Sequence, residues 1–348
     1  DHRDLHSFPT RRSSDLYQHL LYCFGRDDFS VKVPQPVITL SQSGKASPGK
    51  SNIIKEYMIV SRPDMLSGEA VTAARKIQDT MLKTICSKSG IGIKSLHESG
   101  ALCPTYDKPD QGLDAIAEAA GQAGYEMGKD FFFILNSSAQ DCFDYEKGKY
   151  EVVSGMLKGP DDMADYWLDL CSRYESIVGI IDPLRCEEQE QWNKICAAIS
   201  DHCLIISEKG YSRPGILREE ELDFTKFATS GLIMKLEGSN TTAHIAECAK
   251  KMTDLNNVVI MAAGLRESND TTIVDIATAC QAHFLKMGPV CRGERIAKYN
   301  RLIDIENELG ERRAEWDSLA FPSIPPKVPT PTPELEENGE AETANDNN

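Results

Sequence analysis

The chain has 348 residues, 41% hydrophobic and 26% charged, with a formal net charge of −16; that length suits two average domains or one large α/β barrel. The acidic balance argues against a nucleic-acid partner, which needs a basic face, and against an anionic membrane surface. No apolar run reaches the roughly 20 residues of a membrane-spanning helix, no signal-peptide pattern opens the chain, and eleven cysteines without a CxxC pair predict reduced, mostly buried thiols of a cytoplasmic protein rather than a disulfide framework or a zinc site.

In chain order, Asp1–Leu16 (DHRDLHSFPTRRSSDL) fits no fold signal and reads as a translated frame of sequencing-adapter DNA. It is set aside, and the natural N-terminus is expected to be missing. Strand candidates follow at VITL (37–40), EYMIV (56–60), IGIKSL (91–96), FFFIL (131–135), IVGII (177–181), CLIIS (203–207), GLIMK (231–235) and VVIMA (258–262). They are short, rich in β-branched or aromatic residues and mostly apolar on both faces, as strands of a buried parallel sheet are. Helical spacing covers Ser67–Cys86, Gln111–Ala123, Asp161–Tyr174, Glu187–Ile199, Thr241–Met252 and Thr271–Gln281. The first two strands lack a helix between them. About eight strands with intervening helices predict an α/β fold of the (β/α)8 barrel type. Residues 311–348 turn proline-rich and then acidic, which predicts a disordered tail.

Barrels of this type carry their working residues at the C-terminal ends of strands. Polar or charged residues at the candidate strand ends are Glu56, Glu98, Asn136, Glu208, Lys235 and, after a short strand-like AHFLK, Lys286. A lysine closing a run as apolar as GLIMK suits a base tuned by burial. It equally suits a lysine snorkelling to solvent.

Several segments, in order from about Leu16 to Gly310, resemble the enolase family. The longest is KMGPVCRGERIAKYNRLIDIENELG (286–310), which from Arg292 onward reads as a closing helix. Shorter ones are VPQPVITL, IKEYMI, GKYEV (148–152), IIDP (180–183) followed by Trp192, and LIMK. LYQHL (16–20) is similar to the end of the family's linker helix. The resemblance implies an enolase-type barrel over 33–310, a linker helix and entry segment over 17–32, and a missing N-terminal α+β lid domain. It implies a homodimeric phosphopyruvate hydratase, a glycolytic lyase converting 2-phosphoglycerate to phosphoenolpyruvate with Mg2+. Carried over by position, Lys235 matches the lysine base and Glu98 the glutamate acting on the leaving hydroxyl. Glu56 and Lys286 match groups that hold substrate.

The departures from the family are equally specific. Its three Mg2+ carboxylates, from the fourth, fifth and sixth strands of the series above, correspond here to Asn136, Ile181 and Glu208. Mg2+ prefers hard oxygen ligands in octahedral geometry, so Ile181 offers nothing and the site is expected to be degenerate unless Asp182 or Asp141 swings in. The family's glycine-rich loop with its histidine is SQSGKASPGKSN, where Lys45, Lys50 and Lys55 add positive charge. Its His-Arg pair falls at Ala263 and Gly264, and Arg266 is the candidate for a shifted phosphate-binding arginine. His97 stands where the family has an aspartate. Two readings stay open: a divergent hydratase, or a catalytically weak or inactive barrel serving as a scaffold or dimerisation module.

Overall fold

A computed structural model describes residues 16–26, 30–45, 47, 49–89, 96–209, 228–238, 241–314 and 316. Eight strands close into a barrel: β1 (Gln35–Gln42), β2 (Glu56–Ser61), β3 (Phe131–Asn136), β4 (Ile177–Ile181), β5 (Leu204–Ser207), β6 (Gly231–Met234), β7 (Val258–Ala262) and β8 (Phe284–Gly288). Each pairs with its neighbours in sequence, and β8 returns to β1. All pairs are parallel except those of β2, which is antiparallel to both β1 and β3. That reversal explains the missing first helix. Antiparallel strands need no crossover, whereas parallel ones do.

Helices α1 (Leu16–Cys23), α2 (Ser67–Ser89), α3 (Asp110–Ala123), α4 (Pro160–Arg173), α5 (Gln189–Ile199), α6 (Thr242–Asp254), α7 (Thr272–Ala279) and α8 (Gly293–Leu309) surround the barrel. Their starts follow local chemistry. Pro160 occupies the first turn of α4, and the Thr241 side chain caps α6 by accepting from the His244 N–H at 3.2 Å. Helix α8 is tied to the barrel by buried polar groups: the Tyr299 hydroxyl donates to the Gly288 carbonyl at 2.6 Å, and Arg301 pairs with Asp275 at 2.5 Å.

The strands are apolar on both faces because both faces are buried. One cluster, including Met58, Ile134, Ile206, Ile233 and Phe284, fills the barrel interior; a larger one lies between strands and helices. All eleven cysteines are free thiols, seven of them buried. No helix among the described residues is long and apolar enough to cross a membrane.

Two expectations change. The candidate strand IGIKSL falls outside the described residues at 91–95, and the described strands close a ring of eight without it. The eighth place belongs to Phe284–Gly288, so Asn136, Ile181 and Glu208 stand at the ends of the third, fourth and fifth barrel strands. Periodicity sees an apolar run but not the ring it joins. The tail also begins later than 311. Arg313–Ala314 pairs in parallel with Val31–Lys32, Arg313 meets Glu306 at 3.0 Å, and Trp316 stacks on His283 while donating to the Val33 carbonyl at 2.8 Å. These contacts hold residues that composition alone assigns to a polar tail; from 317 on the tail lies outside the described residues. Asp1–Asp15 also lie outside them, and Leu16 opens α1.

The β6–β7 seam depends on Gly231. A Cβ there would sit 2.5 Å from the Val258 carbonyl oxygen, backbone against backbone. Gly231→Ala is expected to cost about 1–3 kcal/mol by overpacking, read as a lower urea midpoint; an unchanged midpoint would show that the seam yields.

Candidate functional site

Strand periodicity builds the site. Side chains two residues apart share a face. Met58, Ile134, Ile206, Ile233 and Phe284 point into the barrel, so Glu56, Asn136, Glu208, Lys235 and Lys286 stand on the same inward face. The first five form the apolar floor; the second five form a polar layer above it. Glu56 starts its strand rather than ending it. It reaches the same rim because β2 runs backwards, which places it opposite both Gln42 and Asn136.

A cavity of about 360 Å3 opens above this layer, lined in part by Glu56, Glu98, Asn136, Glu208, Lys235 and Lys286. Within it, Lys286 Nζ lies 2.6 Å from Glu56 Oε2, and both side chains are almost buried. Asn136 donates its amide to the same oxygen at 2.6 Å, and Gln42 donates to Glu56 Oε1 at 3.3 Å. Burial alone would raise the Glu56 carboxyl, but the Lys286 charge and the hydrogen bonds from Lys286 and Asn136 outweigh it and pull it down to about 2. Lys286 is the mirror case: burial lowers its pKa, and Glu56 with Glu208 raises it further, above the ordinary lysine value. Glu208 is ion-paired with Lys235, and its carboxyl stays below the ordinary range because Lys286 and Lys235 overcome its burial.

Glu98 sits exposed on a loop at the cavity edge. The loop is fastened at both ends of a tight turn. The Gly100 N–H donates to the His97 carbonyl at 2.9 Å, and Cys291 Sγ lies 2.9 Å from the Gly100 carbonyl oxygen. Ser99 connects it inward by donating to Gln42 Oε1 at 3.1 Å. His97 is held to Ser99 at 3.1 Å, and burial keeps its imidazole below the ordinary pKa.

Not every candidate converges. Arg266 is exposed and is not among the cavity-lining residues; Gly264 and Leu265 line the wall instead. Lys55 reaches the cavity and pairs with Asp141 at 2.7 Å, whereas Lys45 turns to Glu151 at 3.7 Å and Lys50 stays outside the lining. Three further lining residues carried no signal at the candidate strand ends. Gln42 lies two residues past VITL, so a longer first strand would have reached it. Lys209 follows Glu208. Arg295 comes from α8, and only the fold brings a helix residue to this rim.

The donors do not fit Mg2+. Ile181 is buried in the apolar interior and Glu208 is held by Lys235, so what remains is Asn136 Oδ1, a neutral amide oxygen left buried without a partner while its N–H donates to Glu56. Among the described residues no group of three or more His, Cys, Asp or Glu side chains is placed to hold a metal. Asp182 does not swing in either. Its backbone is left-handed at φ 47°, and its carboxylate accepts the Glu208 N–H at 2.9 Å and the Lys209 N–H at 3.4 Å. Asp141 instead pairs with Lys55, as described above.

Burial raises the Asp182 carboxyl to about 7, partly offset by the Glu208 N–H. The folded state therefore holds a proton that the unfolded chain has released above the ordinary carboxyl value of 3.8. This group's contribution is most favourable below that value and is lost as pH rises towards 7. Asp182→Asn keeps the acceptor oxygen and suits the left-handed backbone, so it is expected to flatten the fall in stability between about pH 4 and 7, measured by denaturation at several pH values. An unaltered slope would remove Asp182 as its source.

Comparison with known proteins agrees with this architecture. The family described as Enolase, C-terminal TIM barrel domain, matches residues 30–320. Enolase 4 of Xenopus laevis is 33% identical over 306 residues, covering 87% of this chain and 53% of that protein. Enolase 4 of Homo sapiens is 30% identical over 300 residues, covering 80% of this chain and 47% of that protein. Enolase of Corynebacterium kroppenstedtii is 29% identical over 291 residues, covering 83% and 66%. The chain thus spans about half the length of the Enolase 4 relatives it matches. With a closed eight-stranded barrel and a family match over most of its length, the chain belongs to the enolase family and carries that family's C-terminal barrel domain.

Proposed function

We propose that this barrel is the substrate-binding half of a divergent phosphopyruvate hydratase, a cytoplasmic lyase acting on 2-phosphoglycerate and phosphoenolpyruvate. The observation that carries the reading is convergence. Lys235 stands one residue past β6, Lys286 and Glu56 on β8 and β2, and Glu98 on a loop, and all four line one cavity. In this reading Lys235 removes the proton next to the substrate carboxylate. Lys286, fixed by Glu56, faces the negative charge that develops there. Glu98, at the open edge, serves the departing hydroxyl. Mg2+ takes no part in this account because Ile181 breaks its ligand set and Lys235 already holds Glu208. In the full-length chain a homodimer belongs to the same proposal, checked by light scattering.

A second reading has its own observation. Lys235 is engaged with Glu208 and Ile181 is packed in the interior, an arrangement suited to a barrel that binds its ligand and turns it over weakly or not at all. The test is conversion of 2-phosphoglycerate by the full-length protein, followed by enolpyruvate absorbance. A rate above the uncatalysed background supports the hydratase. Background alone ends that reading and leaves the second.

A further inference from the structure

The cavity has surplus positive charge where a metal-binding enolase site would concentrate carboxylates. Lys55, Lys209, Lys235, Lys286 and Arg295 line it against Glu56, Glu98 and Glu208, five cations to three anions. Two of the lysines are neutralised locally, Lys286 by Glu56 and Lys235 by Glu208. Lys55 is matched by Asp141 at the rim. Among the described residues Arg295 has no carboxylate ion pair, and Lys209 makes none either, although its charge is felt by Asp141 and Asp182, while Glu98 is the one cavity carboxylate left without a cation.

Arg295 is the more telling of the two. It is 3% exposed, and its guanidinium donates only to neutral carbonyls: Gly264 at 2.9 Å, Met287 at 3.2 Å and Leu265 at 2.7 Å. Its Nε is buried without a partner. That Nε packs beside Gly288, where a Cβ would stand only 3.4 Å away, so glycine is what lets the buried guanidinium lie this close to the cavity wall. A buried cation without a counter-charge is expensive, and an anion entering beside it removes that cost. Lys209 is exposed at the opposite wall, next to Glu208.

Resting on the reading of this cavity as a phosphocarboxylate site, we propose that it binds its anionic ligand without a divalent cation, with Arg295 and Lys209 supplying positive charge in place of a metal. The ligand class is a small anion bearing a phosphate and a carboxylate. The phosphate group alone, as inorganic phosphate, tests how much of the recognition is that group.

The experiment is calorimetric titration of the full-length protein with 2-phosphoglycerate and, separately, with inorganic phosphate, each in EDTA and in excess Mg2+. The expected result is a Kd for 2-phosphoglycerate that agrees within about twofold between the two conditions. Lys209→Glu, an exposed substitution, is expected to weaken binding in EDTA about fivefold, near the upper end for a single exposed charge. Arg295→Gln is expected to weaken it further, but it also releases three carbonyls, so Lys209→Glu carries the test if that variant fails to fold. Binding at least tenfold tighter with Mg2+, binding absent in EDTA for both anions, or no effect of Lys209→Glu would overturn the proposal. Metal-independent binding of either anion with no turnover leaves it standing and removes only the hydratase reading. Turnover whose substrate binding requires Mg2+ does the reverse.

Discussion

Lys235→Ala in the full-length protein is expected to lower kcat for 2-phosphoglycerate dehydration about 10²–10⁴-fold, the usual contribution of a positioned base. Lys235 stands one residue past β6, two residues after the inward-pointing Ile233, so its amine rises from the barrel floor into the cavity. Alanine leaves the floor intact and removes the amine that, in this reading, takes the proton. It also frees Glu208 from its ion pair, which adds a negative charge facing an anionic substrate. The KM is therefore expected to rise as well, by less than kcat falls. Steady-state kinetics separates the two effects. Equal rates for the variant and the parent protein would show that Lys235 is structural.

Glu56→Ala is expected to cost about 3–5 kcal/mol of folding stability, the penalty for removing one partner of a buried pair. The reason is what stays behind. Lys286, with its side chain 12% exposed, would keep its charge without the carboxylate 2.6 Å away. Asn136 would lose the acceptor of its amide. Glu208 softens the loss only in part, because it already serves Lys235. The double substitution Glu56→Leu with Lys286→Met is expected to recover most of the loss, since an apolar pair needs no compensation. A single-variant cost under about 1 kcal/mol in urea denaturation would contradict the account.

The same pair sets a pH window. The Glu56 carboxyl is pulled down to about 2 when folded, against an ordinary value of 4.5. Its stabilisation, about 3 kcal/mol at 1.36 kcal/mol per unit, is complete above the higher value and is lost as pH falls towards the lower. The Lys286 share runs the other way. Its folded pKa is raised, so that share is complete below the ordinary value of 10.5 and is lost as pH rises past it. The pair is thus expected to support the fold from mildly acidic to mildly alkaline pH, with the acid limb absent in Glu56→Ala.

Much of this was legible in the sequence because it is local. Alternation along GLIMK or FFFILN fixes which residues share a face, and helical spacing found α2 to α7 to within a few residues at each end. The strand-like AHFLK places Lys286 at a strand end, and KMGPVCRGERIAKYNRLIDIENELG reads from Arg292 as the helix α8 behind it. The positions of Lys235, Lys286, Glu56 and Glu98 at strand ends or on a loop can be read from the chain; that they line one cavity cannot.

What the chain alone left undecided depends on elements far apart in sequence. That Phe284–Gly288 closes the ring between Val258–Ala262 and Gln35–Gln42 is set by pairing partners, not by composition. Arg266 and Arg295 are equally plausible anion partners by residue type. Only the packing of α8 beneath the 263–265 loop places Arg295 at the cavity and leaves Arg266 in solvent. The sequence by itself determined the barrel, its family and the inward residues, since these follow from short-range periodicity and a long motif. The tertiary structure decided which charges neutralise one another and which stay uncompensated, because electrostatic pairing depends on distances across strands that no spacing along the chain encodes.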